Sequence, residues 1–151
     1  MRIRPAHFIA LLCLMVLFHV FANFVGLYEQ RIIWIDKVLH IMAGVGVAMI
    51  WVWVLQTCFK IALETIPKVM TVTSLLGFVL FAAIVWEVFE FAFWIAAPAY
   101  AVALNLYSPT IFDVLSDLVT NLIGAILFAA VLFRGRRSIP GATRVGFRPF
   151  M

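Results

Sequence analysis

Charge is scarce in this chain: Asp, Glu, Lys and Arg make up 12% of its 151 residues, against roughly 25% in an ordinary soluble domain. That leaves too little polar surface to coat a water-soluble globule, which excludes a soluble enzyme and a disordered polar tail. Cysteine is equally sparse. Cys13 and Cys58 both sit in apolar runs with no C-x-x-C or Cys/His spacing. A disulfide framework and a zinc knuckle are therefore excluded, and both residues are expected to be small buried hydrophobes. Internal repeats, a nucleotide-binding loop, a nucleophile elbow and a haem motif are all missing. The net charge of +4 and the isoelectric point near 9.5 do not rescue a nucleic-acid module, because the basic residues fall where a membrane topology signal belongs.

What is present is apolar. Hydrophobic residues make up 66% of the chain and the mean hydropathy is +1.15. Four runs, at residues 6–27, 35–59, 69–97 and 111–133, each reach the ~20 residues that a helix needs to cross a bilayer. The first follows Arg2 and Arg4 as a signal peptide would, but it is too long for a signal core and lacks an A-x-A site, so it reads as a retained anchor helix. Pro67, Pro98 and Pro109 flank the later runs, where proline ends or starts a helix without harm. The third run is longer than a span requires, which predicts tilt or an interfacial turn. The expected fold is all-α: a four-helix transmembrane bundle over residues 1–133, followed by a basic tail over 134–151.

Direction follows from the positive charges. If the runs alternate, nine of the eleven basic residues, from Arg2 and Arg4 through Lys60 and Lys68 to the five arginines from Arg134 onward, share one side. Only Arg31 and Lys37 fall on the other. The positive-inside rule then places both termini in the cytoplasm. The tail serves as a topology anchor and can also meet anionic headgroups.

Acidic residues within the spans are the sites to explain, since one charge at the bilayer centre costs ~2.5–3.5 kcal/mol even on lenient scales. Asp36 and His40 are four apart on the second run, Glu87 and Glu90 three apart on the third, and Asp113, Asp117 and Asn121 follow at steps of four on the fourth. Each set therefore shares a helix face. His19 and Asn23 repeat the spacing on the first run. At 1.5 Å rise per residue, His40, Glu90, Asp117 and Asn23 lie ~6–10 Å from the outer ends, and His19, Glu87 and Asn121 ~12–15 Å. All four helices thus bring polar groups to one outer-leaflet layer.

Milder explanations exist for some of these. Asp36 and Asp113 suit helix N-caps, and His19 and Asn23 suit interhelical hydrogen bonding. His7 is incidental. Gly44, Gly46 and Gly124 read as close-packing residues, and Trp51, Trp53, Trp86 and Trp94 as an interfacial belt. Glu87, Glu90, Asp117 and His40 have no such explanation at their depth.

The ordered set Asp36-Lys-Val-Leu-His40 with Gly44, Trp86-Glu-Val-Phe-Glu90, and Asp113-Val-Leu-Ser-Asp117-Leu-Val-Thr-Asn121-Leu-Ile-Gly124 resembles the small bacterial membrane proteins of the YjdF type, a family of unknown function. It is also similar to VanZ-like proteins in its D-K-x-x-H segment and its D-x-x-x-N-x-x-G ending. It departs from them at Glu90, where a glutamine is expected, and in lacking a basic residue before the last helix. The resemblance implies a shared fold, a shared polar site and a place in a bacterial cytoplasmic (inner) membrane, without a reaction.

Three functions remain open. Five carboxylates on one layer need counter-charge, and Lys37 and Arg31 at the interface offset only part of it. A divalent ion (Mn, Fe, Zn or Mg) held by Asp36, His40, Glu87, Glu90, Asp113 and Asp117 would supply the rest. Metal-assisted hydrolysis or transfer on a lipid-linked substrate then follows, with Glu87, Glu90 and Asp117 as catalytic groups and His19, Asn23 and Asn121 as polar support. A proton- or ion-coupled carrier is the second reading; it would call for a homodimer, and the apolar cytoplasmic halves of the second and fourth runs oppose a through-path. The third is a non-catalytic subunit whose polar network locks the bundle or docks a membrane-protein partner.

Overall fold

The computed structural model describes residues 3–28, 34–107 and 110–134. Among these residues are five α-helices: α1 (Pro5–Phe24), α2 (Trp34–Thr57), α3 (Lys68–Ala96), the short α4 (Pro98–Ala103) and α5 (Ile111–Arg134), with one 3-10 turn at Leu63–Thr65. Four of them, α1, α2, α3 and α5, are long and apolar enough to cross a membrane, as expected. No strand occurs among the described residues. The basic tail beyond Arg134, and Arg31 with its expected role as counter-charge, lie outside the described residues.

Local chemistry accounts for the helix ends. Pro5 stands in the first turn of α1, where its missing N–H costs nothing. His7, expected to be incidental, closes this end by accepting the Arg4 backbone N–H on Nδ1 at 3.1 Å. Thr110 caps α5 by accepting the Asp113 N–H on its hydroxyl at 3.1 Å. The long third run is an uninterrupted helix of 29 residues, and Pro98 then opens α4 instead of prolonging it.

The centre of the bundle is the α2–α5 seam. A Cβ placed on Gly44 would collide with the backbone carbonyl of Asn121, and one placed on Gly124 with the backbone carbonyl of Ile41. The two glycines thus let α2 and α5 run side by side in near backbone contact. Lys37 pairs with Asp113, His40 with Asn121, and Leu55 shares an apolar cluster with Leu132, so the two helices are parallel and begin at the same end of the bundle. Toward their C-terminal ends the seam is apolar: Ala48, Val52, Leu55, Ala125, Phe128 and Leu132 cluster with Leu75 and Val79 of α3.

α1 lies along α2 at the periphery and fully buries only Ala22. Leu17, Phe24, Phe81, Phe91 and Phe112 point outward, forming the apolar exterior that a bilayer would cover. Cys13 and Cys58, expected to be buried, are also exposed. In a protein surrounded by lipid the outer faces are as apolar as the core, so hydrophobicity alone does not distinguish inside from outside. Two of the expected belt tryptophans pack within the bundle. Trp51 stacks on Phe78 at 4.5 Å and donates to Ser74 Oγ at 3.3 Å, and Trp53 meets Phe8 edge-on at 5.8 Å.

Candidate functional site

Because α2 and α5 start side by side, their first turns bring Asp36 and Asp113 to the same end. One turn further along lie His40 and Asp117, followed by Asn121, which lies against Gly44. Asp117 is 1% exposed, and His40 and Asn121 are also buried. The polar face anticipated on each of these helices is therefore one continuous cluster.

Lys37 occupies its middle. Its Nζ donates to Asp117 Oδ1 at 2.5 Å, Asp113 Oδ1 at 2.8 Å and Asp36 Oδ2 at 3.1 Å. By its place in the sequence Lys37 is expected at the interface. Its four-carbon stem instead carries the ammonium inward to the three carboxylates. The signal was its three-residue spacing from His40, which sets both on one face of α2.

Three aspartates are offset by Lys37 and by the N-terminal ends of two helices, each equivalent to roughly half a positive charge. About one negative charge remains. His40 faces that remainder, with Nε2 3.5 Å from Asp36 Oδ1 and 3.6 Å from Asp117 Oδ1. Its other nitrogen, Nδ1, is 3.0 Å from the Asn121 amide nitrogen, which also donates to the Asp117 backbone carbonyl at 2.9 Å. A carbonyl can only accept, so the nitrogen of the Asn121 amide is the atom that faces it, and His40 Nδ1 accepts from the same nitrogen. The neutral ring then carries its proton on Nε2, toward the carboxylates.

Asp36, His40 and Asp117 each offer one ligand atom, all within 4.8 Å of one another. Two carboxylates and an imidazole suit Mn, Fe or Zn. Of the remaining expected ligands, Asp113 joins through Lys37 rather than in this close trio. Glu87 and Glu90 are both buried on α3. Glu87 is near enough to His40 to act on it electrostatically, whereas Glu90 accepts the Trp86 indole N–H at 2.8 Å.

His19 and Asn23 belong to a second cluster. His19 Nε2 meets the Leu104 backbone carbonyl at 3.0 Å, which makes Nε2 the donor, and Nδ1 faces the Tyr28 hydroxyl at 2.9 Å. Asn105, held at a positive φ of 50°, donates to Asn23 Oδ1 at 2.7 Å. The pair on α1 thus fastens the segment after α4 and does not reach the α2–α5 trio directly. Tyr28 connects the two clusters: burial, reinforced by the Asp36 charge, pushes its hydroxyl up to about 12. Nothing in the spacing of Tyr28 or Asn105 marks them, since the role of each depends on a partner elsewhere in the chain.

Neither a characterised protein nor a solved structure matches this chain. Residues 2–138 match the family described as predicted membrane protein (DUF2238), and that comparison gives no VanZ-like similarity. Nearly the whole chain is covered, including every element of the four-helix bundle and the polar cluster, so the expected link to a membrane-protein family of unknown function is borne out: the chain belongs to the DUF2238 family of predicted membrane proteins.

Proposed function

We propose that Asp36, His40 and Asp117 form a divalent-cation site at the outward end of the bundle, serving hydrolysis or transfer on a lipid-linked substrate. The observation that supports this is the close approach of the three ligand atoms, within 4.8 Å, in a buried setting. The residual negative charge left after Lys37 and the two helix ends favours the same reading. A divalent ion bound there would polarise the scissile bond of a headgroup or linkage. Asp113 and Lys37 would orient the substrate's charged groups, and Glu87, buried on α3 outside the ligand trio, would stand as proton acceptor. The positive-inside arrangement, with both termini in the cytoplasm, turns this end toward the outer leaflet.

Lys37 supports a second reading, an ion-pair lock that only holds α2 against α5, because its ammonium already engages all three aspartates. Asp117→Asn separates the two. Thermal stability of the detergent-solubilised wild type and of this variant is measured with added Mn2+ and with chelator. Stabilisation of the wild type by the ion, absent in Asp117→Asn, is the result expected of a cation site. Melting that neither the ion nor the chelator changes, with Asp117→Asn lower than wild type throughout for want of its pair with Lys37, leaves the lock and removes the cation site.

A further inference from the structure

We infer that Lys37 is the built-in cation of this cluster and that a divalent ion enters by displacing its ammonium, with the Asn121 amide turning over to free His40. The inference rests on the cation-site reading of the same three residues. Two of the three candidate ligands, Asp36 and Asp117, are also acceptors for Lys37 Nζ. The competition centres on a single atom: Asp117 Oδ1 receives the ammonium and faces His40 Nε2. An ion on that oxygen would stand beside the ammonium as a like charge, so the two positions exclude each other.

Charge favours the exchange. Lys37 and the two helix N-termini offset about two of the three aspartate charges, whereas a divalent ion and the same two helix ends offset about three. The displaced side chain has somewhere to go, since Asp36 and Asp113 are partly exposed and lie toward the end of the bundle. Lys37 can swing past them toward the end of the bundle as it gives up Asp117.

His40 imposes the second condition. Its Nε2 carries a proton while Nδ1 accepts from Asn121, and a ligating Nε2 must present a lone pair. The proton then has to sit on Nδ1, and Nδ1–H requires an acceptor. Asn121 supplies one by rotating its amide so that Oδ1 faces the ring, at the cost of its bond to the Asp117 carbonyl. Ion entry, Lys37 release and the Asn121 turn are thus one coupled change, and the ion-free arrangement satisfies itself.

The test uses the purified full chain in detergent micelles with Mn2+ alone as probe. Binding is read by electron paramagnetic resonance for wild type, Lys37→Met and Lys37→Arg. Lys37→Met should bind at least tenfold more tightly than wild type, and Lys37→Arg no more tightly. In parallel, acylation of Lys37 in the wild type by an amine-reactive ester is followed by peptide mass spectrometry, with Lys60 and Lys68 as internal references. Saturating Mn2+ should raise Lys37 labelling several-fold over those references. Should Lys37→Met fail to fold, the labelling decides by itself. Wild type that binds Mn2+ as tightly as Lys37→Met, or labelling that Mn2+ leaves unchanged, overturns the exchange while the cation site stands. Absence of Mn2+ binding in both wild type and Lys37→Met overturns the two together.

Discussion

Gly44 of α2 lies directly against the backbone carbonyl of Asn121 on α5, with no room between them for a β-carbon. This contact fixes the spacing of the two helices and, one turn toward their N-termini, the distance across which Lys37, His40 and the aspartates meet. The candidate site therefore depends on a residue that carries no chemistry.

Gly44→Ala should be among the most damaging small substitutions in the chain. The obstructing atom is backbone and cannot rotate aside, so the cost should reach about 3 kcal/mol, the upper end of ordinary overpacking. Gly77→Ala is the control. Nothing approaches a Cβ at that position, and replacing glycine within a helix gains up to about 1 kcal/mol. Melting in detergent should drop clearly for the first and hold or rise for the second. Equal melting of the two would show that the α2–α5 approach is looser than described.

Asn121 should set the proton position on His40. Asn121→Leu deprives Nδ1 of its donor and should cost about 1–3 kcal/mol, the penalty for an unsatisfied buried polar group. Asn121→Asp offers only acceptors and should move the ring proton from Nε2 to Nδ1. Nitrogen chemical shifts of His40 distinguish the two tautomers. An Nε2–H signal persisting in Asn121→Asp would refute the assignment.

Tyr28 should make stability fall at high pH. Its hydroxyl is raised to about 12 in the folded chain, by burial first and by Asp36 second, from about 10 in an unfolded one. For a raised value the stabilisation is complete below the unfolded value and is lost as pH climbs through the folded one. The wild type should therefore lose stability between about pH 10 and pH 12. Tyr28→Phe should be weaker at neutral pH for want of the bond to His19, yet flatter across that window. Parallel slopes for the two proteins would rule Tyr28 out as the titrating group.

Much of the architecture could be read from residue order. Four apolar runs of bilayer length demand helices, because a backbone in lipid must satisfy its own hydrogen bonds. Steps of three and four among Asp36, His40, Glu87, Glu90, Asp113, Asp117 and Asn121 place each set on a face of its helix. Equal depth along their helices lets the α2 and α5 sets meet, as Asp36, His40 and Asp117 do.

Residue order alone determined which side chains share a helix face and roughly how deep they lie, since rise and turn per residue are properties of the helix itself. Tertiary structure alone decided which faces meet. His19 and Asn23 have the same spacing as Asp36 and His40, yet they turn to Leu104 and Asn105 because α1 packs at the edge. Lys37, a boundary charge by its position in the sequence, is the centre of the cluster because two glycines bring α5 close enough for its ammonium to reach Asp117. Periodicity is local, whereas a buried charge is neutralised by whatever packing brings within a few ångströms, and no spacing within one helix contains that information.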